Sequence, residues 1–213
     1  HATTRTYGVK LMARYLEIAA KGKRGLNWDA VRDVPVDGCM VYDLTNLPME
    51  GVSDNSYDGI YSEHFIEHLY KYQGINFFIE ALRILKPGGT IRTVWPPYEF
   101  IEKLVSGEKL NNEEEAFVEH YYNFYILKEQ FAPPKNKHRS KREQCALGLL
   151  YQKGEHLYVW SKIEMIMTLK SLGFSSVKEK SYMQSGVMDF NNIDTPGNIR
   201  ALHSAVVEAE KPW

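Results

Sequence analysis

Between Ser62 and His68 the chain places two carboxylates and two imidazoles within seven residues, as Ser62-Glu63-His64 and Glu67-His68. Histidine titrates near neutral pH and is the side chain best matched to take a proton from a reacting oxygen or nitrogen. His64 is therefore the first candidate for a general base, with Glu63 supporting it or facing a substrate. His120 and His156 come next, in segments that can fold over the same place, although a surface role suits each better. The same run, His64-Phe65-Ile66-Glu67-His68, matches the H-x-x-E-H pattern of a zinc hydrolase. Two histidines four apart on a helix share a face and suit zinc, but that site needs a third protein ligand. The sequence does not locate one, so no metal is assigned and His68 is read as a packed, hydrogen-bonded histidine.

Three further carboxylates, Glu17, Asp29 and Asp43, fall in or just after short apolar runs. In a parallel sheet, ligands bind at the carboxyl ends of the strands. A carboxylate after the second strand can accept both ribose hydroxyls, and one after the third can accept an adenine amino group. The spacing thus suits a nucleoside, while simple loop capping is the competing use of Asp29 and Asp43.

Positioning these groups falls to a strand over residues 57–61 and a helix over 73–85, whose Phe77, Phe78, Ala81, Leu82 and Leu85 recur at helical spacing. Lys86-Pro87-Gly88-Gly89 is expected to stop that helix, and residues 91–95 to form the next strand. This is one right-handed crossover of a parallel sheet. Upstream, residues 14–20, 26–28 and 39–42 read as short strands, the first in competition with a helical stripe through Met12, Tyr15, Leu16 and Ala19. Downstream, helices are expected over 98–105, 113–127 and 161–172, the last opened by Ser161 with Glu164 at the capping-box position. Residues 176–183 and 202–210 alternate as strands. The helix carrying Phe117, Tyr121, Tyr122, Phe124 and Tyr125 is either core or a lid over an acceptor pocket. Residues 132–142, with Lys135, Lys137, His138, Arg139, Lys141 and Arg142, read as a solvated basic linker.

The whole chain, at 213 residues with 44% hydrophobic and 25% charged residues, is most simply one domain over 1–213. A net charge of −1 argues against nucleic acid as a partner, and no apolar run reaches the ~18 residues of a membrane-spanning helix. Cys39 and Cys145 are too few for a disulfide framework, which makes a reducing, cytoplasmic compartment the default.

Asp54-Asn55-Ser56-Tyr57-Asp58, Ser62-Glu63-His64, Glu67-His68-Leu69 and Leu85-Lys86-Pro87-Gly88-Gly89 occur in this order. Together they resemble the class I S-adenosylmethionine-dependent methyltransferases, in the small-molecule branch. The resemblance implies an α/β, Rossmann-like seven-stranded sheet with its last strand antiparallel, and a helical insertion or lid over residues 98–153. It implies S-adenosylmethionine as cofactor, with Glu17, Ala19 and Gly22 beside its methionine end and Asp29 at the ribose. It also implies Asp43 and Leu44 at the adenine, and Ser62 to His64 near the transferred methyl. The implied activity is methyl transfer to a small molecule such as a saccharide or other metabolite. A methyltransferase-like binding protein without turnover is the alternative, and a zinc hydrolase the third reading. The first motif departs from the family's glycine-rich pattern, reading Glu17-Ile18-Ala19-Ala20-Lys21-Gly22. Only twelve positions separate Glu17 from Asp29, too few for the usual crossover helix.

Overall fold

The computed structural model describes residues 13–19, 27–33, 35, 37–128 and 138–213. Its strands are β1 (Tyr15–Ile18), β2 (Trp28–Arg32), β3 (Met40–Val41), β4 (Tyr57–Glu63), β5 (Leu85–Trp95), β6 (Ser175–Lys180) and β7 (Ala205–Glu210). They form one seven-stranded sheet in the order β3-β2-β1-β4-β5-β7-β6. The first five strands run parallel, and β7 is antiparallel to both β5 and β6. The α-helices are α1 (Lys71–Ile84), α2 (Tyr98–Val105), α3 (Asn112–Tyr121), α4 (Lys141–Tyr151), α5 (Lys162–Ser171) and α6 (Asn198–Leu202). No described helix is long and apolar enough to cross a membrane.

Burial resolves the early ambiguity in favour of a strand. All four residues of β1 are buried, as in a parallel strand covered on both faces, where a helical stripe would leave one side exposed. Strand β2 runs later than the sequence suggests. It begins at Trp28, where a strand was expected to end, because buried Ala30 and Val31 continue the apolar run. Its carboxyl tip is therefore Arg32 and Asp33 rather than Asp29.

The main core lies on the face covered by α1 and α5, where Phe78, Ala81, Trp160 and Leu169 meet Leu16, Ile60 and Ile91 of the sheet. Ser161 caps α5 as expected, its Oγ accepting from the Glu164 amide at 3.1 Å. On the opposite face, Tyr15, Trp28, Tyr61, Val94 and Val206 are covered by Phe190 and Ile193 from the loop between β6 and α6. That loop can sit so low because β4 carries Gly59: a Cβ there would lie 2.6 Å from the Phe190 ring.

Lys86-Pro87-Gly88-Gly89 does not separate α1 from β5 but bulges within the start of the strand. Tyr57 pairs with Leu85 and Gly59 with Thr90, so three residues loop out of register. Gly88 sits there at φ +75°, a conformation natural to glycine. The insertion over 98–153 has its own core of Phe100, Leu104, Phe117, Tyr121, Cys145 and Leu149. Helix α4 is a correction to the expected linker. Ser140 and Glu143 form a reciprocal cap, a Ser-x-x-Glu signature hidden within the basic run. Lys141 pairs with Glu119 at 2.7 Å, and Arg142 donates to the Leu104 and Lys103 carbonyls at the end of α2. Arg142 is therefore half-buried and structural, whereas Lys141 stays at the surface in a solvent-exposed pair; Lys135 and Lys137 lie outside the described residues.

Candidate active site

The tips of β1 to β4 open into a cavity of about 1080 Å³. Its walls carry Glu17 and Ile18 of β1 with Ala19 just after it, Arg32 of β2 followed by Asp33, Asp43 and Leu44 after β3, and Glu63 of β4 followed by His64. Ile193, Thr195 and Pro196 close it from the loop before α6. Two of the tips are bent in the same way: Ala19 has φ +55° and His64 has φ +50°. Left-handed backbone costs an L-residue on the order of 1 kcal/mol, and such outliers gather at functional sites. Ala19 thus holds the conformation that glycine provides at no steric cost, at the position where the first motif lacks its glycine. Ala19→Gly is expected to stabilise the protein by about 0.5–1 kcal/mol, read as a Tm roughly 1–4 °C higher. An unchanged or lower Tm would show that Ala19 makes contacts that outweigh the strain.

Asp43 reaches the cavity with its carboxyl held below the usual carboxylate range by the Thr45 hydroxyl and amide. Both bonds fall on Oδ1, at 2.6 and 2.9 Å, so loop capping and ligand contact coexist in one side chain, with Oδ2 turned to neither Thr45 donor. Leu44 beside it is buried and apolar. Glu17 is also buried and lines the cavity.

Asp29 lies elsewhere. It is the second residue of β2, paired in register with Leu16, and so about 10 Å short of the tip at ~3.3 Å per residue. Its Oδ2 receives Arg14 Nε at 2.8 Å and the Tyr57 hydroxyl at 3.0 Å. It does not line the cavity, and the tip carboxylate is Asp33, which the sequence reading missed. The signal was present in Ala30-Val31, which extend the apolar run past Asp29. Gly22 lies outside the described residues. Ser62 is buried between strands, its Oγ donating to Thr93 Oγ1 at 3.2 Å, and does not line the cavity.

Glu63 lines the cavity, yet its carboxylate is committed. It accepts from Tyr182 at 2.6 Å, Tyr61 at 3.1 Å, and both the amide and hydroxyl of Thr195. Burial alone would raise its pKa, but the Thr195 and Tyr182 donors, with Arg200 and His64 nearby, hold it below the ordinary value. Such a group positions the closing loop and is poorly suited to accept a proton. His64 is better placed: Nε2 lies 2.9 Å from Ser204 Oγ, and Nδ1 lies 3.2 Å from Oε1 of buried Glu67. His68 and Glu67 share a short 3₁₀ turn (Ile66–His68) that His64 precedes. His64 and His68 therefore do not share a helical face, and the hydrolase geometry expected of H-x-x-E-H is not formed. His120 is exposed and stacks on Phe124, while His156 is brought beside His68.

Residues 1–93 match a family profile described as "Methyltransferase domain". No curated protein matches the chain. Among solved structures, a SAM-dependent methyltransferase from Archaeoglobus fulgidus is similar with a TM-score of 0.51 and 16% identity, covering 95% of this chain and 87% of its own. A chain of the Haloferax volcanii complex between the Trm112 methyltransferase activator and a methyltransferase is similar with a TM-score of 0.50 and 13% identity, covering 94% of this chain and 83% of its own. At such identities the likeness concerns the fold. The sheet order, the reversed β7 and the match over residues 1–93 define a class I S-adenosylmethionine-dependent methyltransferase fold, as the motifs led one to expect. The methyltransferase-domain match and this fold together support S-adenosylmethionine as the cofactor.

The residues present suit that cofactor. Glu17, Asp33 and Asp43 bring three carboxylates to one cavity, complementary to a sulfonium cation, an ammonium and nucleoside hydroxyls, and Leu44 offers an apolar surface to a ring.

Proposed function

We propose that this chain transfers a methyl group from S-adenosylmethionine to a small-molecule acceptor, such as a saccharide or other metabolite. The observation that carries this is one continuous cavity with two chemically different walls: Glu17, Asp33 and Asp43 on one side, His64 on the other. S-adenosylmethionine supplies, when bound, a methyl carbon activated by the adjacent sulfonium. Asp33, in place of Asp29, accepts the ribose hydroxyls, Asp43 and Leu44 hold the adenine, and Glu17 with the backbone at Ala19 faces the methionine end. His64 would take the proton that the acceptor oxygen or nitrogen gives up during the transfer. Glu63 is a positioning residue that holds the Thr195 loop over the site. Orientation and exclusion of water are the protein's main contributions to such an in-line displacement. The insertion over 98–153 caps the acceptor side within the single domain, and a reducing cytoplasmic setting accords with free Cys39 and Cys145.

Calorimetry with S-adenosylmethionine and S-adenosylhomocysteine tests this reading. Binding in the micromolar range is expected for both. No heat with either would favour a methyltransferase-like binding protein without turnover.

A further inference from the structure

We propose that Glu67, His68 and His156 form a binding site for one divalent first-row transition cation, in a small hollow that they line together beside the main cavity. One ligand atom from each lies within 4.8 Å of the others. A tetrahedral site with bonds of about 2.1 Å brings its ligand atoms to about 3.4 Å apart, so modest side-chain rotation closes the set. The three meet because the Leu157 and Tyr158 amides donate to the Glu67 carbonyl at 2.8 and 3.3 Å, laying the segment after α4 across the 3₁₀ turn.

Two independent features point to a cation. Glu67 is fully buried, and among the described residues neither carboxylate oxygen receives a well-formed hydrogen bond; the approach of His64 Nδ1 at 3.2 Å is misaligned. A carboxylate so deeply buried and so poorly supplied with donors is a group that a cation would compensate. Secondly, both histidines are oriented as ligands are. His68 Nδ1 faces the Glu155 carbonyl at 3.1 Å, and His156 Nδ1 faces the Leu149 carbonyl. A carbonyl only accepts, so both protons reside on Nδ1 and both Nε2 lone pairs are left for a metal, the usual support of a histidine ligand.

A His₂Glu set suits zinc, iron(II) or manganese(II) and leaves a coordination position open. That position has room: the hollow is about 200 Å³ and is also lined by His64, Tyr121, Tyr125, Arg200 and His203. His156 escaped the sequence reading as a ligand because it lies far along the chain from Glu67 and His68. The catalytic role rests on the methyl-transfer reading, whereas binding of the cation does not. Next to His64, the bound ion would lower the pKa of an acceptor oxygen, which makes a hydroxyl-bearing acceptor the matching substrate class.

The test uses tag-free, chelator-treated protein titrated with Zn²⁺, Mn²⁺ and Co²⁺, with Co²⁺ absorption as a second readout. One ion per chain, at micromolar affinity or tighter, is expected for at least one of these metals. Binding should weaken at least 10-fold in Glu67→Gln and His156→Ala and stay unchanged in His120→Ala. His68→Ala and the wild-type Co²⁺ spectrum decide the matter if either core variant fails to fold. Substoichiometric wild-type binding, or unaltered affinity in the folded variants, would overturn the proposal. S-adenosylhomocysteine binding measured on the same protein separates its failure from failure of the methyl-transfer reading.

Discussion

Replacing Asp194 with alanine is expected to destabilise the protein by about 3–5 kcal/mol, the range for removing one partner of a buried ion pair. Arg92 lies in the middle of β5 with no exposure, and both its Nε and Nη2 donate to Asp194. Its Nη1 donates to Glu208 Oε1 at 2.8 Å and to the Gln184 carbonyl at 2.9 Å. Asp194 also accepts from the Met183 amide at 2.6 Å, tying both ends of the loop after β6 to the sheet. Without Asp194 a guanidinium remains in the interior with Glu208 as its one carboxylate partner besides the Gln184 and Ser181 carbonyls. Ile193, Thr195 and Pro196 of the cavity wall lose one of their anchors at the same time, leaving the Thr195 bonds to Glu63. Urea unfolding with and without S-adenosylhomocysteine should therefore show lower stability and weaker ligand stabilisation together. A loss under about 1 kcal/mol would mean that water reaches Arg92 and that the pair is not buried in solution.

Acid should weaken the fold well above the carboxylate range. Burial, and then the field of His64, push His203 down to about 3 from its ordinary 6.5. Below pH 6.5 the unfolded chain binds a proton that the folded chain refuses, so stability falls as pH drops from about 6.5 toward 3. Between pH 7 and 5 this one group costs about 2 kcal/mol. His156, lowered chiefly by burial, adds in the same direction. Glu63, held below its usual value, contributes stability that is lost only at lower pH, as it protonates. His203→Phe should flatten the stability profile between pH 7 and 5 whatever its absolute stability. Parallel profiles for the two proteins would rule out His203 as the source.

The crossover through β4, α1 and β5 was legible because strand burial and helical periodicity agree over residues 54–95, although Lys86-Pro87-Gly88-Gly89 bulges inside β5 instead of preceding it. Helix α2 and the Ser161 cap were legible for the same local reasons. What failed was register and long-range partnership. Asp29 looked like a strand tip because only the apolar run before it was read; Ala30 and Val31 carry β2 onward, and the carboxylate that reaches the cavity is Asp33. Glu63 looked catalytic until Tyr182 and Thr195, over a hundred residues away, were seen to occupy it. Helix α4 was hidden because Lys141 and Arg142 resemble loop charge until Glu119 and the carbonyls ending α2 are in view. His156 could not be linked to Glu67 and His68 by any local pattern, since backbone hydrogen bonds across the 3₁₀ turn bring them together.

The most direct test of the donor site compares S-adenosylhomocysteine binding to wild type, Asp33→Ala and Asp29→Ala by calorimetry, well below each protein's Tm. The cavity geometry predicts micromolar binding to wild type, a loss of ~10-fold or more in Asp33→Ala, about 1.4 kcal/mol, and affinity within about twofold of wild type in Asp29→Ala, whose partners are Arg14 and Tyr57. No binding to wild type, or a loss confined to Asp29→Ala, would contradict it.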